Sequence, residues 1–253
     1  MSTLRVLLLT LALASPALAQ TAPSDGPSVA AGARDAAAQL VFYLEKTARA
    51  GNQPDFSKAP AADIFGRVFD FNALAALPAP SPSDLPWLID WGSAANQANK
   101  AILFYRITPP VDPIADRAWI ERNMAELEDP LVLADSFIVR IMAREAQSMF
   151  LFMDQLTPEQ RTPIREQGLT RALAGMAGTV YTVLCKLTSG LKPANQRLVG
   201  AAIGDTAEVW AKDILPRDRP LIMQEAAKAQ IAVEDAAAKK SIAAFSAALA
   251  AAK

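Results

Sequence analysis

Apolar residues along this chain recur at spacings of three and four, and the strict alternation of a half-buried strand is nearly missing. That period limits the fold more than any motif does. Residues three and four apart share one face of a helix, whereas a strand needs a period of two. Roughly a fifth of the residues are alanine, the strongest helix former. Prolines cut the pattern into segments, because the ring blocks a helix interior. The spacing predicts helices over 29–50, 61–77, 86–106, 114–128, 130–156, 157–189, 193–215 and 220–252. Gly51 and Gly190 stop two of them, and Pro78–Pro82 reads as an extended connector. Thr157-Pro158-Glu159-Gln160 has the letters of a capping box and predicts a helix start. The last segment would be nearly 50 Å long if unbroken, at about 1.5 Å per residue. The fold class is therefore all-α, a single helical bundle of seven or eight helices spanning 29–253.

The first nineteen residues read as a secretory signal peptide. Arg5 supplies the positive region, Val6 to Ala14 the apolar core, and Ala17-Leu18-Ala19 the cleavage site before Gln20. The apolar run is too short for a spanning helix and is interrupted at Ser15-Pro16. The expectations are export to the periplasm, no transmembrane span after cleavage, and a flexible leader over 20–28.

With 25 basic against 26 acidic side chains, the chain lacks the concentrated positive charge of a nucleic-acid binder. It has no histidine, which removes imidazole bases and imidazole metal ligands. Cys185 is the only cysteine, so no intramolecular disulfide forms. It is expected buried and inert, having no histidine to make it a thiolate. Phosphate-binding, nucleophile-elbow, dinucleotide and calcium-loop patterns are all missing, so no cofactor and no metal is expected.

Helical projection at 100° per residue picks out four features. The helix after Gly168 carries Leu169, Leu173, Met176, Val180, Val183 and Leu187 on one face and Ala174, Gly178 and Cys185 opposite, which predicts a helix packed on both sides. Gly200, Gly204, Ala207 and Ala211 form a ridge of small residues. Such a ridge allows close packing within the bundle or between copies in a homo-oligomer. Trp87, Trp91 and Tyr105 share a face with Ala94, Ala98 and Ile102, either as core or as the aromatic wall of a ligand cleft. Glu145 sits in the middle of an apolar stripe that includes Leu131, Ile138, Ile141, Met142 and Met149, with Arg140, Gln147 and Asp154 on the side expected to face solvent. A carboxylate there must be paired, hydrogen-bonded or protonated. The expected arrangement is an ion pair with an arginine of another helix, and the sharper one is a ligand-binding carboxyl with a raised pKa.

Leu156-Thr157-Pro158-Glu159-Gln160 resembles the LTxxQ box of the Spy and CpxP group of periplasmic helical chaperones. That family carries the box twice in a shorter chain, and here it occurs once. The resemblance implies a chaperone-like role. The residues themselves lead to an exported, non-catalytic bundle that binds an envelope protein or an apolar small molecule. The alternative is an envelope hydrolase working with carboxylates alone, as paired Asp and Glu do in glycoside cleavage.

Overall fold

The computed structural model describes residues 25–107 and 116–252. The expected signal peptide, residues 20–24 of the leader and the breakers Pro109, Pro110 and Pro113 lie outside the described residues. All regular structure among the described residues is helical: α1 (Gly26–Arg49), α2 (Ala61–Val68), α3 (Phe71–Ala75), α4 (Leu85–Ile107), α5 (Asp116–Glu126), α6 (Glu128–Asp154), α7 (Pro163–Leu187), α8 (Pro193–Asp205), α9 (Ala207–Asp213), α10 (Arg219–Ala232) and α11 (Ala236–Ala251). A single 3-10 turn at Pro82–Asp84 precedes α4.

The count exceeds seven or eight because three expected helices are each divided in two. The first division follows Val68, whose carbonyl accepts the indole N–H of Trp91 at 2.9 Å. Asp70 then caps α3 by accepting from the Ala73 N–H at 2.9 Å. The second falls at Thr206, whose hydroxyl donates to the Ala202 carbonyl at 2.7 Å while its backbone leaves the helical region. The third replaces the expected 50 Å helix with α10 and α11. Gln196 of α8 accepts from the N–H groups of Glu234 and Asp235, at 2.9 and 3.1 Å. Asp235 caps α11 through the Ala238 N–H and is held by Arg197 at 2.6 Å.

Two starts also differ from expectation. Gly26–Ser28, expected in the flexible leader, form the first turn of α1, and Gly26 lies under the Trp87 ring. Thr157–Gln160 forms a turn, and α7 starts only at Pro163, where Thr162 accepts from the Arg165 N–H at 3.4 Å. The stops at Gly51 and Gly190 occur at φ +65° and +86°, the left-handed region that glycine enters without steric penalty.

α6 is the centre of the bundle. α4 packs along one side of it, antiparallel, while α3, α8 and α9 lie opposite. Its Phe137 ring meets those of Phe69, Phe71 and Trp91 at 5.2–5.6 Å between centroids. α1 runs parallel to α4: Trp87 meets its first residue, and the Tyr105 hydroxyl donates to the Asn52 carbonyl just past its end. Alanines on both helices, among them Ala33, Ala37, Ala94 and Ala98, make that contact close. Two network sites tie the ends together. Asp135 on α6 accepts from Lys186 of α7 at 2.6 Å and from Asn99 of α4 at 3.1 Å. Asn195 of α8 donates to Glu128 and Asp129 at 2.7 Å.

The expectation that α7 packs on both sides is met in part: α6 and α10 both lie against it, with Cys185 beside Glu225 of α10. Leu173, Met176, Val180, Val183 and Leu187 are buried, but Gly175 and Gly178 face open space. Small residues present little surface that water penalises, so that face can remain uncovered. Cys185 is half-buried rather than buried, beside Tyr181, and desolvation pushes its thiol pKa up. The glycines of the ridge behave differently. Gly200 and Gly204 lie where α8 crosses α11, and Ala207 and Ala211 are buried on α9. An added Cβ at Gly200 would stand 2.8 Å from the Ala238 backbone, so the crossing would have to open. Gly200→Ala should therefore destabilise by about 1–3 kcal/mol in denaturant unfolding. Gly178→Ala, with nothing within 4 Å, should stabilise by roughly 0.5–1 kcal/mol. Equal effects at the two positions would refute the close crossing.

Candidate functional site

Trp91, at 0% exposure, is wholly enclosed, its N–H satisfied by Val68 and its ring against Phe137. Tyr105 is buried, and desolvation pushes its phenol up to about 12, so it acts as a neutral donor. Trp87 is half-buried on α1. Neither these aromatics nor Glu145 lines any of three grooves on the described surface, at Arg144, at Asp213 and at Phe56. The structure thus places the aromatic face between α1 and α4.

Glu145 is buried at 8% exposure, with its carboxyl against the α4 backbone at Gly92. The glycine makes room for it: a Cβ there would overlap Oε1 and stand 3.2 Å from Cδ. The expected ion pair is not formed, and the carboxyl has no hydrogen-bond partner among the described residues. Burial alone pushes its pKa up to about 8, because a charge without a partner is unfavourable in that environment. At neutral pH it is mostly a neutral acid.

The opposite side of α6 does not simply meet solvent. It forms the floor of a groove of about 610 Å³, walled by α3 and by α8 and α9. Phe71, Leu74, Leu133, Leu198 and Val209 supply apolar surface. Arg140, Arg144, Ser136, Gln147, Asp205 and Thr206 supply the polar groups. Volume and lining match those of small-molecule sites, which are mostly apolar with a few placed polar groups. Each polar group is positioned by local structure. Arg140 donates to the Ser136 carbonyl at 3.2 Å, pairs with Asp205 at 2.8 Å and lies 6.0 Å from the centre of the Phe71 ring. Arg144 reaches across to the Leu77 carbonyl at 3.0 Å and to that of Pro78, pinning the proline connector along α6.

Arg144 has no carboxylate within ion-pair distance among the described residues, and desolvation lowers its pKa. Asp84 acts on it through space without forming an ion pair, so the guanidinium, bonded only to carbonyls, keeps donors for an anion. Ser136 adds a hydroxyl, 1% exposed, whose oxygen has no hydrogen-bond partner. The arrangement can bind an apolar body with an acidic group. Sequence reasoning assigned Arg140 and Gln147 to solvent and did not weigh Ser136, because α6 is apolar on one face and mixed on the other. The signal available was the mixed face itself, where Leu133, Ala143 and Ser136 stand beside the arginines. Among the described residues, no group of three or more acidic or sulfur side chains is arranged to hold a metal, and no helix is long and apolar enough to cross a membrane.

The Glu145 geometry gives a signed pH dependence. Below pH about 4.5, the ordinary value, the carboxyl is protonated folded and unfolded alike. As pH rises from there to about 8, only the unfolded chain releases the proton, so stability falls by at most about 1.4 kcal/mol per pH unit. Glu145→Gln should remove this group's share of the slope, leaving below about pH 7 the share of buried Asp213, and be the more stable protein at pH 8, as read from urea midpoints across the range. Gly92→Ala should destabilise the wild type but be tolerated in a Glu145→Ala background, a coupling that a double-mutant cycle measures. Matching slopes for wild type and Glu145→Gln would show a solvated, ionised side chain.

No known family model, no curated protein and no solved structure matches this chain.

Proposed function

We propose that the protein is an exported, non-catalytic ligand-binding bundle of the bacterial cell envelope, and that its ligand is an apolar molecule with an acidic head. The Arg144 guanidinium carries this reading: it lines an apolar groove of about 610 Å³ with no carboxylate in ion-pair contact among the described residues, Asp84 acting on it only through space. An acidic head would pair with Arg144, with the Ser136 hydroxyl in the same groove. The body would cover Phe71, Leu74, Leu198 and Val209. Burial of apolar surface would supply affinity, and the charged head would set orientation.

Export rests on Arg5, the apolar run Val6–Ala14 and the Ala17-Leu18-Ala19 site. The hydrolase alternative needs two carboxylates facing each other across a cleft. The groove with Arg144 contains one acid, Asp205, already paired with Arg140. Glu208 and Asp213 line an adjoining groove but project about 140° apart on the same short helix.

Decanoate is a suitable probe, with decanol and decylamine as controls. In calorimetric titration the carboxylate should bind at least about tenfold tighter than the alcohol, the gain expected of one charge-assisted hydrogen-bonded pair. Arg144→Ala should abolish that preference and leave binding of the alcohol unchanged. Equal affinities for all three probes, or a preference for the amine, would overturn the reading. Export has its own check: the mature N-terminus should be Gln20, and a chain recovered from an export-competent host beginning at Met1 or Ser2 would refute cleavage.

A further inference from the structure

The arginine groove does not end at Val209. Gln147 and Val209 also line a second depression of about 480 Å³, completed by Pro80, Phe150, Leu151, Glu208, Lys212 and Asp213. Asp213 is the last residue of α9 and only 6% exposed, yet its Oδ2 is buried without a hydrogen-bond partner among the described residues. A carboxyl that serves only the fold is normally given partners, because an unsatisfied buried acceptor is destabilising.

The surroundings supply one cation, Lys212, which acts on Asp213 only through space. Lys212, its chain neighbour, is exposed and forms no ion pair with it. Arg219 of α10, the cation bound to the end of α9, spends its donors on the carbonyls of Ala211, Ile214 and Ala252. Glu208 is a second acid on the wall of the same depression, which deepens the shortage of positive charge. From α6 the wall carries Gln147, Phe150 and Leu151, and from the connector Pro80, none of which titrates. An acid in such a place is matched by a cation from outside the chain. Desolvation pushes its pKa up to about 7, so a cation that enters favours the ionised form.

We infer that Asp213 is a second polar anchor for the same ligand and receives a protonated amine, so that the joined grooves take an elongated amphipathic molecule with an acid at one end and an amine at the other. This rests on the arginine-groove reading above, since Arg144 and Ser136 would hold the acid end while Asp213 holds the amine. Val209 and the aliphatic part of Gln147, common to both depressions, would lie along the chain between them.

Titration of the whole protein with ω-aminooctanoate, ω-aminodecanoate and ω-aminododecanoate, each against its chain-matched alkanoate, tests the inference. One amino acid, the one whose length spans the two anchors, should bind at least about tenfold tighter than its alkanoate. Asp213→Asn should erase that gain and leave alkanoate affinity within about twofold, which also shows that the variant is folded. At about pH 6 the amino acid should release up to one proton on binding, a release absent in Asp213→Asn and measured in two buffers of different ionisation heat. If no amino acid outperforms its alkanoate, or if Asp213→Asn weakens both classes equally, the amine anchor is refuted. If the amino acids bind through Asp213 while no alkanoate binds, the acid-head reading falls and the amine anchor stands. If neither class binds, both fall.

Discussion

A helix of 27 residues with 16 of them buried must be covered on more than one side, and α6 sets that condition for the whole bundle. Covering it takes α4 on one side and α3, α8 and α9 on the other. Aromatic rings converge on Phe137, those of Phe69, Phe71 and Trp91 coming from the end of α2, from α3 and from α4. A helix enclosed in this way cannot send all its polar side chains to water. Asp135, Ser136, Glu145 and Ser148 are all buried on it.

Three of them are treated differently, and the differences organise the site. Asp135 is given Lys186 and Asn99, so its charge is compensated and links three helices. Glu145 receives space and no partner; Gly92 lets it lie against the α4 backbone, and protonation removes the charge that nothing else would balance. Ser136 lies in the groove lining with a buried hydroxyl that has no partner among the described residues, and Arg144 in the same lining is bonded only to carbonyls, with Asp84 acting on it through space. Asp213, in the adjoining depression, is a buried acid with an unpartnered oxygen, and Lys212 beside it forms no ion pair with it. Unbalanced groups of opposite sign on adjoining walls are a weak design for stability and a sensible one for binding an extended, doubly polar molecule.

The period of three and four, the alanine content and the prolines fixed by themselves that the described chain is helical and where most helices begin and stop. These are local properties: side-chain spacing, backbone propensity and a missing N–H act within one or two turns. Glu145 on an apolar stripe was legible for the same reason, since projection around a helix needs no neighbours. Whether it would be paired was not legible, because that depended on Gly92 lying opposite, on a helix more than fifty residues earlier.

The tertiary structure alone decided the three divided helices and the groove. Asp235 is a good N-cap residue, but Val233-Glu234-Asp235 could equally have continued a helix through an alanine-rich stretch. Gln196 and Arg197, from another helix, take hold of that segment and make the break favourable. Trp91 does the same to the last carbonyl of α2. The groove belongs to this second class. Arg144 and Asp213 are ordinary charged residues until α6, α9 and the proline connector lie side by side, because ionisation, burial and partnership depend on groups distant in the chain.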